Sequence, residues 1–420
     1  MATSRTFSLR ARYLFPIDRP PIRDAWLTVS KGRIAAVGDA PVGERRDLGN
    51  VAILPGLINA HTHLEFSELE EPLGRPGMPF TDWIREVVRW RREMIRQYDG
   101  IDWRSQAIRH GVEESVRGGA TMLGEIATLP WEESGSRYQG LHGVSFMELL
   151  GLARERHAEL LSAANNYVEF SQSSGCSSKP GLSPHAPYTV SPELIESIAT
   201  LSARTHVPVA IHLAETREEL ELLTSASGPF RELLDDLNAW QADVIPLGST
   251  PLDYMKLLAK ADRSLIIHGN YLSDEEMVFA GQQRDRMSII YCPRTHAYFA
   301  HDRYPLREML DRGINVALGT DARASNPNLN VLSEIRFAAK QHQDVSPESI
   351  LRLATINAAV ALGIQESHGT LTPGMQADFI VVPVAPDTTT DPNELLLGST
   401  DMVQQVFRRG EQLFPVKAEA

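Results

Sequence analysis

The segment LPGLINAHTH (Leu54–His63) closes an apolar run with two histidines one residue apart. In a strand, residues i and i+2 project to the same side, so His61 and His63 would present two imidazoles together while Thr62 faces away. Such a pair suits a metal ion. A plain strand end with solvated or hydrogen-bonded histidines would read the same over three residues, so the rest of the chain has to decide.

Outward from this strand one rhythm repeats: a short apolar run, a loop, then a segment of helical period. The runs predict strands at Leu57–His63, Thr121–Ile126, Val144–Leu149, Gly181–His185, Val207–His212, Ser264–His268, Ser288–Tyr291 and Asn315–Gly319. Helix starts are marked by Ser191-Pro192-Glu193, an N-cap followed by proline, and by the capping-box patterns Thr216–Glu219 and Ser273–Glu276. Eight strand-then-helix units predict an α/β fold, a (β/α)8 TIM-like barrel over residues 59–365, with its active site at the C-terminal strand ends. The flanks read differently. Ala25–Val29 and Arg33–Val37 predict a hairpin around Lys31-Gly32, and Ala377–Val382 and Met402–Phe414 are again strand-like. Residues 1–58 and 366–420 are therefore expected to form one small β-sandwich-like domain from both chain ends.

Composition narrows the partners. A formal charge of −13 over 420 residues leaves no basic footprint for nucleic acid. No window approaches the ~20 apolar residues of a membrane span, and the N-terminus lacks the apolar core of a signal peptide. The two cysteines, Cys176 and Cys292, are too few for a disulfide framework and fit a reducing compartment, so a cytoplasmic protein is expected. Monomer and homo-oligomer stay equally open.

The predicted strand ends carry the chemistry. Strand one ends in His61 and His63, strand five (VPVAIHLAE) in His212, strand six (SLIIHGN) in His268 and strand eight (NVALGTD) in Asp321. Any one of these could be an ordinary capping or core-edge residue. Together, brought to one face by the barrel, they hold up better as a metal site, and three histidines and an aspartate suit Zn2+ or Fe2+, with no thiolate to favour softer metals. Such an ion ionises water near neutral pH. Glu215, just past His212, either gains from the helix dipole ahead of Thr216 or shuttles a proton between that water and a substrate ring nitrogen.

PGLINAHTH, HLAE, IIHGNYL, LGTDARASNPN, ATINAAVALG and GTLTPGMQADFIVV stand in the order seen in the amidohydrolase superfamily, in its branch of purine deaminases and chlorohydrolases, which nearly the whole chain resembles. The resemblance implies that His61, His63, His212 and Asp321 are metal ligands, that Glu215 shuttles protons, that His268 orients the attacking water and that Asp321 takes its proton. Two-metal members carry a lysine at the end of strand four; here His185 stands there, which implies one metal. HTHLEFS, FMELLG, HAPYTV and EELELL look most like the aminodeoxyfutalosine deaminases of a menaquinone route, and next like the methylthioadenosine and S-adenosylhomocysteine deaminases. That likeness implies a small-molecule nucleoside substrate and assigns His185 and Ser325 to substrate binding. Trp83, on a helix-period stripe after the Pro72–Pro79 loop, either packs in the core or helps close the pocket, and Glu65 at the same rim carries the same two readings. In YCPRTHAYFAH, Thr295-His296 replaces the usual Ser-Asn, so Arg294 and His296 are expected to reshape the pocket. Guanine, cytosine or triazine rings are the alternative substrates within the branch, and a non-catalytic metal-containing scaffold is the alternative outside enzymology.

Overall fold

The first barrel strand, Leu57–His63, is buried at every position, as are the second, Ala120–Ala127, and the seventh, Met287–Tyr291. Burial on both faces is what a parallel barrel demands of its strands, one face filling the interior and the other lying under helices. The computed structural model describes residues 5–98, 103–128, 141–174, 178–384 and 389–415. Between the strands already named lie the third, His142–Leu149, the fourth, Lys179–Pro184, the fifth, Pro208–Leu213, and the sixth, Arg263–His268. Every neighbouring pair is parallel.

The ring closes in an unusual way. The eighth strand, Asn315–Leu318, breaks over Gly319-Thr320 and resumes as Asp321–Ala322, which pairs in parallel with Thr62 and His63 of strand one. Gly319 makes the approach feasible, because a Cβ there would come within 2.8 Å of His61 Cβ and its carbonyl oxygen. Asn59 stitches the seam from strand one, donating to Thr320 Oγ1 at 2.8 Å and accepting the Thr320 N–H at 3.0 Å. Inside the ring, Met122, Ile126, Val144, Phe146, Leu265 and Ile290 pack as one cluster. Truncating the fully buried Phe146 to alanine would cost about 3–5 kcal/mol.

Both chain ends share the second sheet. Ile22–Ser30 and Arg33–Gly38 form the expected hairpin, with Lys31 and Gly32 both at positive φ, as a tight two-residue turn requires. Val51–Pro55 then pairs antiparallel with Phe379–Pro383, and Gln405–Arg408 and Glu411–Phe414 complete that edge. With Thr6–Leu14 and Glu44–Asp47, hydrogen bonds join the eight described strands of this unit into a single sheet.

The helix start signals hold: Ser191, Thr216 and Ser273 each accept the N–H three residues on. The stretch 225–255 departs from expectation. Its Gly, Pro and Ser content predicts irregular chain, yet it contains helices Pro229–Asp236 and Pro251–Leu258. Both prolines stand at the first helical position, and Phe230, Leu233 and Leu234 give the first helix a buried face, so these residues start helices here.

Candidate active site

Strands one, five, six and eight bring their terminal side chains to one place. His61, His63, His212, His268 and Asp321 are all buried, and their donor atoms form two overlapping groups: His61, His212 and His268, and His61, His63 and Asp321. Asp321 Oδ1 lies 3.4 Å from His61 Nε2 and 3.7 Å from His63 Nε2. His268 and Asp321 both adopt positive φ, at 68° and 57°, a conformation that costs non-glycine residues energy and is concentrated at functional sites.

The hydrogen bonding fits a cation. His212 Nδ1 lies 3.1 Å from the carbonyl oxygen of His185, and donation there leaves the Nε2 lone pair facing His63 Nε2 at 3.4 Å. Neither ring nitrogen of His61, nor His63 Nδ1, has a hydrogen-bond partner. Burial above all holds these imidazoles below their usual pKa, in the neutral form that ligates metal.

Glu215 reaches the cluster from just beyond strand five, its Oε1 3.3 Å from His268 Nε2. Burial first, then the Asp321 and Glu219 carboxyls, pushes its pKa well above the usual carboxylate range. Its backbone is held from all sides. Gly269 and Tyr271 donate to the carbonyls of Leu213 and Ala214, and Asn270 Nδ2 donates to that of Glu215 at 2.9 Å. Glu219 accepts the N–H groups of Ala214 and Glu215, each at 2.9 Å. In sequence Glu219 reads only as the fourth residue of a capping box, yet here its carboxylate reaches back past the cap.

The expected substrate residues divide. His185 stands at the cluster, its ring 5.0 Å from that of His212, with Nδ1 and Thr189 Oγ1 2.8 Å apart. Trp83 donates to the carbonyl of Ala324, beyond strand eight, at 3.1 Å and packs on Phe80 and Phe299. Glu65 is buried in an ion pair with Arg91 and accepts from Thr128 Oγ1 at 3.0 Å. Ser325, expected beside the substrate, is fully buried and donates to Asp321 Oδ2 at 2.8 Å, which orients that carboxylate. Arg294 is committed elsewhere, bonding Glu334 Oε1 at 2.7 Å and Asn328 Oδ1 at 2.9 Å, because the buried Glu334 needs a cation. His296 packs among Tyr291, His301 and Tyr304.

Comparison with known proteins extends this picture. Across 398 residues the chain is 29% identical to the 5-methylthioadenosine/S-adenosylhomocysteine deaminase of Moorella thermoacetica, covering 91% of this chain and 86% of that protein. In fold it is similar to the Helicobacter pylori aminofutalosine deaminase in complex with methylthio-coformycin, with a TM-score of 0.83 at 22% identity over 97% of this chain and all of that one. It is also similar to the atrazine chlorohydrolase of Arthrobacter aurescens complexed with zinc, with a TM-score of 0.82 at 21% identity, covering 98% and 97% of the two chains. The amidohydrolase family model matches residues 52–413, from the strand that precedes the first barrel strand to the last strand of the small sheet, and the chain is a member of that family.

Proposed function

We propose that this amidohydrolase is a metal-dependent deaminase that replaces the 6-amino group of an adenine-containing nucleoside by oxygen and releases ammonia. One observation carries the reading: the Glu215 carboxyl lies 3.3 Å from His268 Nε2, beside the two converging groups of metal-type side chains. His61, His63, His212 and Asp321 would hold one divalent ion, Zn2+ or alternatively Fe2+, which when bound supplies a Lewis acid that activates water near neutral pH.

The remaining work belongs to the chain. Asp321 takes a proton from the attacking water, and Glu215 delivers one to the ring nitrogen beside the reacting carbon, making that carbon electrophilic. His268, its Nε2 3.3 Å from Glu215 Oε1, orients the water. Water's oxygen ends on the ring carbon, one of its protons on the ring nitrogen and the other on the amine, which leaves as ammonia. Burial of Glu215, His268 and Asp321 excludes bulk solvent and strengthens each interaction.

The substrates named for the Moorella relative share an adenosine core and vary at the 5′ position, which supports the nucleoside class and leaves aminodeoxyfutalosine among the candidates. His185 beside His212, with Trp83 and Glu65 at the rim, would bind it. A cytoplasmic location belongs to the same reading; no helix of the described residues is long and apolar enough to cross a membrane. The test is ammonia release, with loss of adenine absorbance, from adenosine, methylthioadenosine, S-adenosylhomocysteine and aminodeoxyfutalosine, using metal-loaded protein. Turnover of at least one is expected. Inertness towards all four would overturn the reading.

A further inference from the structure

His268 ends strand six in a turn that needs outside support. Its φ is 68°, and the N–H of Gly269 is donated back to the Ile267 carbonyl at 3.0 Å, so the chain closes the rare, strained form of a three-residue γ-turn around it. Such a conformation costs a non-glycine residue energy and persists only where the surroundings fix it. One support is visible at once: the same Gly269 N–H also reaches the Leu213 carbonyl of strand five at 3.1 Å.

Tyr304 supplies the other. From the loop that leads into the helix Leu306–Asp311, its hydroxyl donates to the His268 carbonyl at 3.0 Å. The ring is sealed from solvent, and burial pushes its pKa well above the ordinary tyrosine value, so the phenol stays a neutral donor. Nor can the ring swing away. It stacks on Tyr291, the last residue of strand seven, with centroids 3.8 Å apart and planes 12° apart, and it stands perpendicular to the ring of His296. Tyr291 is anchored in turn, its hydroxyl 3.2 Å from His342 Nε2.

A buried tyrosine hydroxyl must find an acceptor, and a backbone carbonyl often serves with no further meaning. Two features set this carbonyl apart. It belongs to a residue of positive φ, and that residue carries an imidazole whose Nε2 is 3.3 Å from Glu215 Oε1. The His268 carbonyl and the Gly269 N–H lie in one peptide plane. Their bonds hold that plane from both edges, and with it the direction in which the His268 side chain leaves the strand.

We propose that Tyr304 is a positioning residue for the reaction: by holding the His268 carbonyl, it keeps the imidazole aimed beside Glu215. The inference rests on the deaminase reading above and adds what sets the aim of His268.

The test uses two variants of the metal-loaded protein. Tyr304→Phe keeps the ring stack and removes only the hydroxyl, whereas Tyr304→Leu removes both. Each is compared with the wild type by steady-state kinetics, metal content, melting temperature and amide hydrogen exchange of the peptide 264–272. A lost aim slows chemistry more than binding, so Tyr304→Phe is expected to lower kcat about 10- to 100-fold with KM changed by less than about threefold. Metal content should hold, and exchange at 264–272 should rise while the other barrel strands keep their protection. Tyr304→Leu should share the kinetic loss and add a fall in melting temperature. Wild-type kcat in Tyr304→Phe would overturn the proposal and leave the ring as packing alone. A loss carried by KM or by missing metal would overturn it as well. A wild type inert towards all four nucleosides fails differently, because it removes the deaminase reading while exchange still decides the turn: a rise in Tyr304→Phe keeps Tyr304 as its anchor, and no change removes it.

Discussion

Glu219 holds Glu215 by its backbone: the two carboxylate oxygens of Glu219 each accept an N–H at 2.9 Å, one from Ala214 and one from Glu215 itself. Ala214 is left-handed, with φ of 53°, so consecutive N–H groups turn to one side and make a small anion-binding concavity that the chain fills with its own carboxylate. The carboxyl proposed to carry the proton is thus aimed by a residue that bonds only its backbone.

Replacing Glu219 with glutamine puts an amide N–H against one of those N–H groups. Because a small misplacement of a reacting group slows chemistry more than binding, kcat should fall about 10- to 100-fold while KM changes little. Steady-state kinetics with metal analysis checks this. Proportional loss of metal and activity would instead mark Glu219 as a purely structural residue.

Ser325→Ala removes the 2.8 Å hydrogen bond to Asp321 Oδ2. Groups that orient a metal-type ligand commonly contribute about 10- to 100-fold in affinity or activity. Weaker Zn2+ retention at unchanged nucleoside KM is the expected outcome, read by competition with a chelating dye. A raised KM at full metal occupancy would return Ser325 to substrate binding.

Chelation should abolish turnover and lower the melting temperature, with both restored by Zn2+ or Fe2+. An ion at 100 times its dissociation constant stabilises the folded state by about 2.7 kcal/mol. Calorimetry with and without chelator reads the difference. An unchanged melting temperature on full metal removal would show that the histidine cluster gains nothing from the ion.

Just after strand seven, burial lowers the pKa of His296 to about 3 and of His301 to about 4. Both therefore stay neutral in the fold at pH values where the unfolded chain already takes up protons. Above the unfolded pKa of about 6.5 neither group makes stability depend on pH. As pH falls from there towards the folded values, stability is lost, roughly 3–5 kcal/mol per histidine. Melting temperature measured from pH 7 to pH 4 should decline, and His296→Gln should flatten the slope. An identical slope in the variant would exclude His296 as a source.

The barrel strands were readable because strands buried on both faces appear as bare apolar runs, and the cluster because His61, His63, His212, His268 and Asp321 each end such a run. Arg294 and Ser325 were not readable in the same way. Their partners, Glu334 and Asp321, are chosen by how loops fold over one another after strands seven and eight, and nothing local specifies that choice. Glu219 was disguised by its own regularity, since a glutamate at that place in a helix start already has a familiar use.

The closure of the ring through Asp321 and Thr62 gives the molecule a built-in order of events. His61 and His63 leave the ribosome long before Asp321, and until that last residue docks against strand one the histidines have no carboxylate beside them. A growing or truncated chain consequently carries an incomplete centre. Without Asp321 against strand one, the candidate centre lacks the carboxylate that stands beside His61 and His63.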